Sequence, residues 1–147
     1  MNSFIKKIRD LERKLSSEKG NFSFFALVEL QDFQNEWDVL VSASWLPSRE
    51  TDAISVITDS IFEILDKDEL LQLSRVIILN ADEPFIKEVV KKSCGREALS
   101  DVFINGLEIR NMYIFSNQKK YENVISLQER NRKTVHQDFE ERYRNVG

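Results

Sequence analysis

Apolar and polar residues recur along this chain with two different periods, and each change of period marks a new element. From Phe22 to Leu30 the even positions are all apolar: Phe22, Phe24, Ala26, Val28 and Leu30. From Trp37 to Trp45 the odd positions are apolar: Trp37, Val39, Val41, Ala43 and Trp45. Successive side chains of a strand point to opposite faces, so each run predicts a strand with one unbroken apolar stripe. The polar connection from Gln31 to Glu36 makes the pair a hairpin spanning Phe22 to Leu46. The second faces of the two strands differ. Phe25 and Leu27 make the first strand apolar on both sides, as an interior strand is. Asp38, Ser42 and Ser44, with only Leu40 among them, leave the second strand a small polar face. Such a face either admits a closely packed helix or floors a shallow site.

Elsewhere the period is helical. Phe4, Ile8, Leu11 and Leu15 give one apolar stripe over residues 3–17, with Lys6, Lys7, Arg9 and Arg13 facing away. Ser3 is the expected cap, and Gly20 with Asn21 the exit. Ile54, Ile57, Ile61 and Leu65 predict a helix over 49–65 with Ser48 as its candidate cap, and residues 69–73 add a short turn or second helix. Val76 to Leu79 is apolar without alternation and mostly β-branched, which predicts a strand covered on both faces and parallel to its neighbour. A third helix follows, capped by Asp82, with Pro84 in its first turn and Gly95 at its end.

The pair Asn105-Gly106 lies between Val102–Ile104 and Leu107–Phe115. It is the preferred pair for a two-residue type I′ turn, in which both central residues need positive φ, so a second hairpin is expected. Gln118 to Arg144 reads as a last, charged helix. Tyr121, Val124, Ile125 and Leu127 are dense enough to dock on the body, whereas beyond them only Val135, Phe139 and Tyr143 remain apolar, four apart.

Together these elements predict one α+β domain in the order α-β-β-α-β-α-β-β-α. Its mixed sheet has about five strands, two hairpins plus one buried central strand, packed with about four helices. Residues 1–117 form the core domain, and 118–147 a C-terminal charged helix, partly docked or partner-binding.

Composition narrows the class without naming the function. The 147 residues are 41% hydrophobic and 31% charged, as in a soluble globular domain, and no apolar run approaches membrane-spanning length. The start of the chain lacks the pattern of a secretory signal, and Cys94 has no second cysteine to pair with, so a reducing cytoplasm is expected. A net charge of −4 argues against non-specific nucleic-acid binding by the surface as a whole.

Several kinds of chemistry have no matching residues. With Cys94 and His136 as the only cysteine and histidine, no zinc site is expected within one chain, nor a Ser-His-Asp or Cys-His arrangement. His136 reads as a solvated surface residue and Cys94 as a small buried or half-buried side chain. The four glycines are widely scattered, which excludes a P-loop and a dinucleotide-binding turn. No metal and no cofactor is expected.

Four groups of residues remain. Asn80, Asp82 and Glu83 follow the Val76–Leu79 strand, where carboxylates could hold Mg²⁺, although a helix cap and a turn explain them better. Asp38, with Glu29 and Glu36, sits on the first hairpin as the acid of a metal-dependent nuclease would, but no Glu-x-Lys follows; Glu108 and Arg110 are a loose substitute. Lys119, Lys120, Arg130, Arg132 and Lys133 offer charge for a phosphate backbone, but interleaved acids make them the pattern of a solvated helix. Last come apolar residues outside the expected core: Phe33 in the polar connection, and Val135, Phe139 and Tyr143 on the terminal helix.

From these the expected function is a non-catalytic macromolecular interaction or accessory protein. It would bind a protein partner, or self-associate as a homodimer through the last hairpin or the C-terminal helix. The alternative is a Mg-dependent phosphodiester enzyme or nucleic-acid-binding protein using Asp38, Asp82 or Glu83 with the C-terminal basic residues. No membrane association is expected.

Overall fold

The computed structural model describes residues 2–117. The last predicted helix, with Lys119, Lys120, Arg130, Arg132, Lys133, Val135, His136, Phe139 and Tyr143, lies outside the described residues. In chain order the elements are α1 (Ser3–Lys19), β1 (Phe24–Leu30), a short 3₁₀ turn (Gln31–Phe33), β2 (Trp37–Ser42), α2 (Glu50–Ile64), α3 (Lys67–Leu70), β3 (Leu73–Ile78), α4 (Pro84–Ser93), β4 (Ala98–Ile104) and β5 (Leu107–Asn117). They form an α+β domain with a mixed five-stranded sheet in the order β3-β2-β1-β5-β4. The β2–β3 pair is parallel and the other pairs are antiparallel.

β1 holds the centre because it can be buried on both sides. Phe24, Ala26 and Val28 face α4 and pack with Phe85, Ile86, Val89, Ile109 and Met112. Phe25 and Leu27 face α1 and α2 and pack with Phe4, Ile8, Leu11, Ile57 and Ile61. Burying a side chain of this size contributes about 1.5–3 kcal/mol, so this one strand joins two substantial cores. The two stripes of the first hairpin do not share a face. Ala26 pairs with Leu40, so even positions of β2 lie beside even positions of β1. Trp37, Val39 and Val41 therefore face α1 and α2, while Asp38, Leu40 and Ser42 are buried on the α4 side.

The strand expected at the centre, β3, is instead at one edge and half-buried. It is covered above and below and runs parallel to β2, as its β-branched residues require; an apolar run reports what lies on the two faces, not what lies beside the strand. β2 ends at Ser42, and Trp45 folds back onto Phe22, with ring centroids 5.3 Å apart. Gly20 makes that return close. A Cβ there would stand 3.1 Å from Trp45 Cδ1, and its φ of 129° is one that side-chain-bearing residues rarely adopt. Asn105 (φ 54°) and Gly106 (φ 85°) form the tight turn of the second hairpin.

The caps shift by a residue. Asn2 rather than Ser3 accepts the Ile5 N–H at 2.9 Å, Arg49 rather than Ser48 precedes α2, and Glu83 rather than Asp82 precedes α4. At the C-cap of α4, Cys94 takes the left-handed conformation and is exposed, not buried. Among the described residues no helix is long and apolar enough to cross a membrane.

α3 is tied to α1 by Glu69. This buried carboxylate accepts the Asp66 N–H at 2.9 Å and the Lys7 ammonium at 2.7 Å, while Asp66 accepts the Glu69 N–H in return. Led by the Asp66 backbone bond and then by Lys7, these contacts pull the Glu69 pKa from 4.5 to about 2; the Glu69 carboxylate raises Lys7 in turn. A lowered carboxylate pKa contributes stability that is fully present above 4.5 and is lost as pH falls toward about 2. Glu69→Gln is therefore expected to be less stable than wild type in urea at pH 7. The gap should narrow steadily between those two pH values. A constant gap would show that the ion pair contributes nothing.

Candidate functional site

The two ends of the sheet differ in character. At one end β1 finishes, β2 and β3 begin, α2 finishes and the β4–β5 hairpin turns. At the other, β2 and β3 finish, α4 begins, and β5 runs out at Asn117 beside the start of β4.

The first end carries every large hydrophobic side chain of the described residues that is well exposed: Phe33, Phe62, Leu71, Phe103 and Leu107, 44–79% accessible. Phe33 closes the 3₁₀ turn after β1, and Phe62 lies in the last turn of α2. Leu71 immediately precedes Gln72, whose carbonyl accepts the Trp37 N–H at 2.7 Å at the start of β2. Phe103 and Leu107 flank the Asn105-Gly106 turn. Single exposed apolar residues are ordinary on a protein surface; five gathered at one end of a sheet are not.

Phe33 was legible in the sequence because it interrupts a polar connection. The other four were missed, since an apolar residue in a helical or strand pattern reads as core. A signal was present: Phe62 lies off the stripe of Ile54, Ile57, Ile61 and Leu65, and Phe103 points away from its buried neighbour Ile104.

Buried polar groups hold this end in shape. Glu29, 4% exposed, accepts the Asn35 N–H at 2.7 Å and the Asn111 Nδ2 at 2.8 Å, with the Arg110 Nε 3.9 Å away. Asn111 Oδ1 in turn accepts the Ser100 hydroxyl at 2.9 Å, so one chain of contacts crosses β1, β5 and β4. Gln31 donates to Asp101 at 3.0 Å, joining the turn before Phe33 to β4. Lys92 of α4 donates to the Phe103 carbonyl. The segments bearing Phe33 and Phe103 are thus fixed before anything binds.

Charge at this end is uneven. Asp32, Glu36, Asp68, Asp101 and Glu108 are exposed around the apolar residues. Of the nearby cations, Arg75 lies 3.3 Å from Asp38, Arg110 lies beside Glu29, Lys7 is held by Glu69 and Lys92 lies 3.8 Å from Glu88, while Lys67 is exposed among Asp66, Asp68 and Leu71. The rim is acidic.

The candidate acids do not come together. Asp38 is at the apolar end, buried and paired with Arg75 across β2 and β3. Asp82 and Glu83 lie at the opposite end, half-buried between β3 and α4. Among the described residues no three His, Cys, Asp or Glu side chains are grouped to hold a metal ion.

The polar end has a cavity of about 520 Å³ between α1 and the last residues of β5, lined by Arg9, Arg13, Ser17, Glu97, Phe115 and Asn117 among others. Glu12 is buried in its wall and accepts from Ser16 at 3.3 Å and from Ser116 of β5. Arg9, expected to face solvent, is half-buried there.

Removing the Glu29 carboxylate should leave the Asn35 N–H and the Asn111 amide without their acceptor, at about 1–3 kcal/mol. Glu29→Ala is expected to lose that much stability in urea and to speed amide exchange at Asn35. Unchanged exchange would mean the connection bearing Phe33 is held by something else. Comparison of the chain with protein-family models, with curated proteins and with solved structures finds no match.

Proposed function

We propose that this protein is a non-catalytic interaction module, and that the apolar end of its sheet binds a protein surface with an apolar centre and a basic rim. The observation that carries this reading is the gathering of Phe33, Phe62, Leu71, Phe103 and Leu107 at one end, inside a rim of exposed carboxylates. Aromatic side chains carried on segments already fixed by hydrogen bonds cost little backbone ordering on binding, which favours affinity. The acidic rim selects the partner. A second copy presenting the same rim meets like charge, whereas a basic surface is attracted and steered in.

The enzymatic alternative, using Asp38, Asp82 or Glu83 with Mg²⁺, draws no support from their positions, because Asp38 and the other two sit at opposite ends of the sheet. A rise in thermal midpoint with millimolar Mg²⁺ would favour that alternative.

The test is capture by the tagged full-length chain from cell extract, at low salt and at about 1 M salt, where surface charge is screened within about 3 Å. Wild type is expected to recover a basic protein in stoichiometric amount and to lose it at high salt. Phe103→Ser should weaken the purified complex by about 30-fold or more, the effect of losing one central anchor. Equal recovery by Phe33→Ser/Phe103→Ser, or a stable homodimer with no second protein, would sink the proposal.

A further inference from the structure

Two arginines and a buried glutamate, Arg9, Arg13 and Glu12, line the cavity between α1 and the end of β5. None of the three takes part in an ion pair among the described residues. We propose that this cavity binds a small organic oxyanion, a carboxylate or a phosphate ester, through the guanidinium groups of Arg9 and Arg13.

The way Glu12 is held points to this. The other buried acids each lie near a cation: Glu29 is 3.9 Å from Arg110, Asp38 is 3.3 Å from Arg75 and Glu69 is 2.7 Å from Lys7. Glu12 instead accepts from the hydroxyls of Ser16 and Ser116, although Arg9 and Arg13 flank it on the same helix. Neutral donors hold the carboxylate, so both guanidinium groups remain for something else.

Arg9 is the sharper case. Its Nε is buried and has no hydrogen-bond partner among the described residues. Buried donors are nearly always paired. Nε and the neighbouring Nη form an edge on which a guanidinium grips an oxyanion with two parallel bonds. Arg13 lies one helical turn further along α1 and lines the same cavity, as does Ser17 a turn beyond it. The bond from Ser116 to Glu12 ties β5 to α1 and fixes the two walls before anything binds.

Size and charge narrow the ligand. A volume of about 520 Å³ is that of a small-molecule site. Glu12 and Glu97 balance the two arginines in the lining, which disfavours a polyanion and leaves room for one oxyanion group. The half-buried ring of Phe115 offers the body of such a ligand an apolar surface. The site is independent of what binds the apolar end, because the cavity lies at the opposite end of the sheet.

Acetate and inorganic phosphate are the probes. Each is titrated into the full-length chain to several millimolar at constant ionic strength, in mildly acidic buffer, while the arginine Nε–H signals are followed by NMR. The Arg9 and Arg13 signals are expected to shift saturably, and the anion that binds more tightly assigns the ligand as carboxylate or phosphate ester. The exposed Arg49 should not follow the same curve. Arg13→Gln should weaken binding about tenfold, the effect of losing one charged hydrogen bond. Phe103→Ser, at the apolar end, should leave it unchanged. Failure of both anions to saturate, a matching curve at Arg49, or equal affinity in Arg13→Gln overturns the proposal. The wild-type titration stands by itself and does not depend on the variants folding.

Discussion

The rest of the structure depends on β1 being apolar on both faces. A strand of that kind is stable only with neighbours on both sides and helices above and below. β2 and β5 supply the neighbours, α1 and α2 one cover, and α4 the other. Once β1 is central, β3 and β4 must be the edges, and the two hairpins contribute to one sheet rather than two. The antiparallel register then assigns each side chain of the first hairpin to one core or the other.

This arrangement concentrates cover over the middle of the sheet and leaves its two ends to differ. The cost of burying a carboxylate without partners is high, and the buried acids Glu12, Glu29, Asp38 and Glu69 each meet a named donor or cation in the structure. They join elements that the apolar cores leave apart: Glu12 links α1 to β5, Glu69 links α3 to α1, and Glu29 fixes the connection after β1. Acids engaged in this way serve the architecture. The side chains with no such role are the exposed apolar ones at the end of the sheet, which is why function is placed there.

Much of this was legible in the sequence. The Asn-Gly pair marked the second hairpin, the period of two assigned the faces of β1 and β2, and the spacing of Phe4, Ile8, Leu11 and Leu15 gave α1. What sequence could not supply was lateral order. The residues of β3 report that both its faces are covered, but an apolar run does not say how many strands lie beside it. Capping by Asn2 in place of Ser3 is of the same kind, two suitable residues side by side. The candidate site was legible only at Phe33. Its companions come from α2, the α3–β3 link and the last hairpin, brought to one end by topology alone.

The most direct measurement is covalent footprinting of the full-length chain, compared between purified protein and cell extract. Loss of labelling in extract at Phe33, Phe103 and Leu107, with no change at Asn80, Asp82 and Glu83, is the expected result. Protection confined to Asp82 and Glu83, or labelling in extract identical to that of the purified protein, would contradict the placement of function at the apolar end.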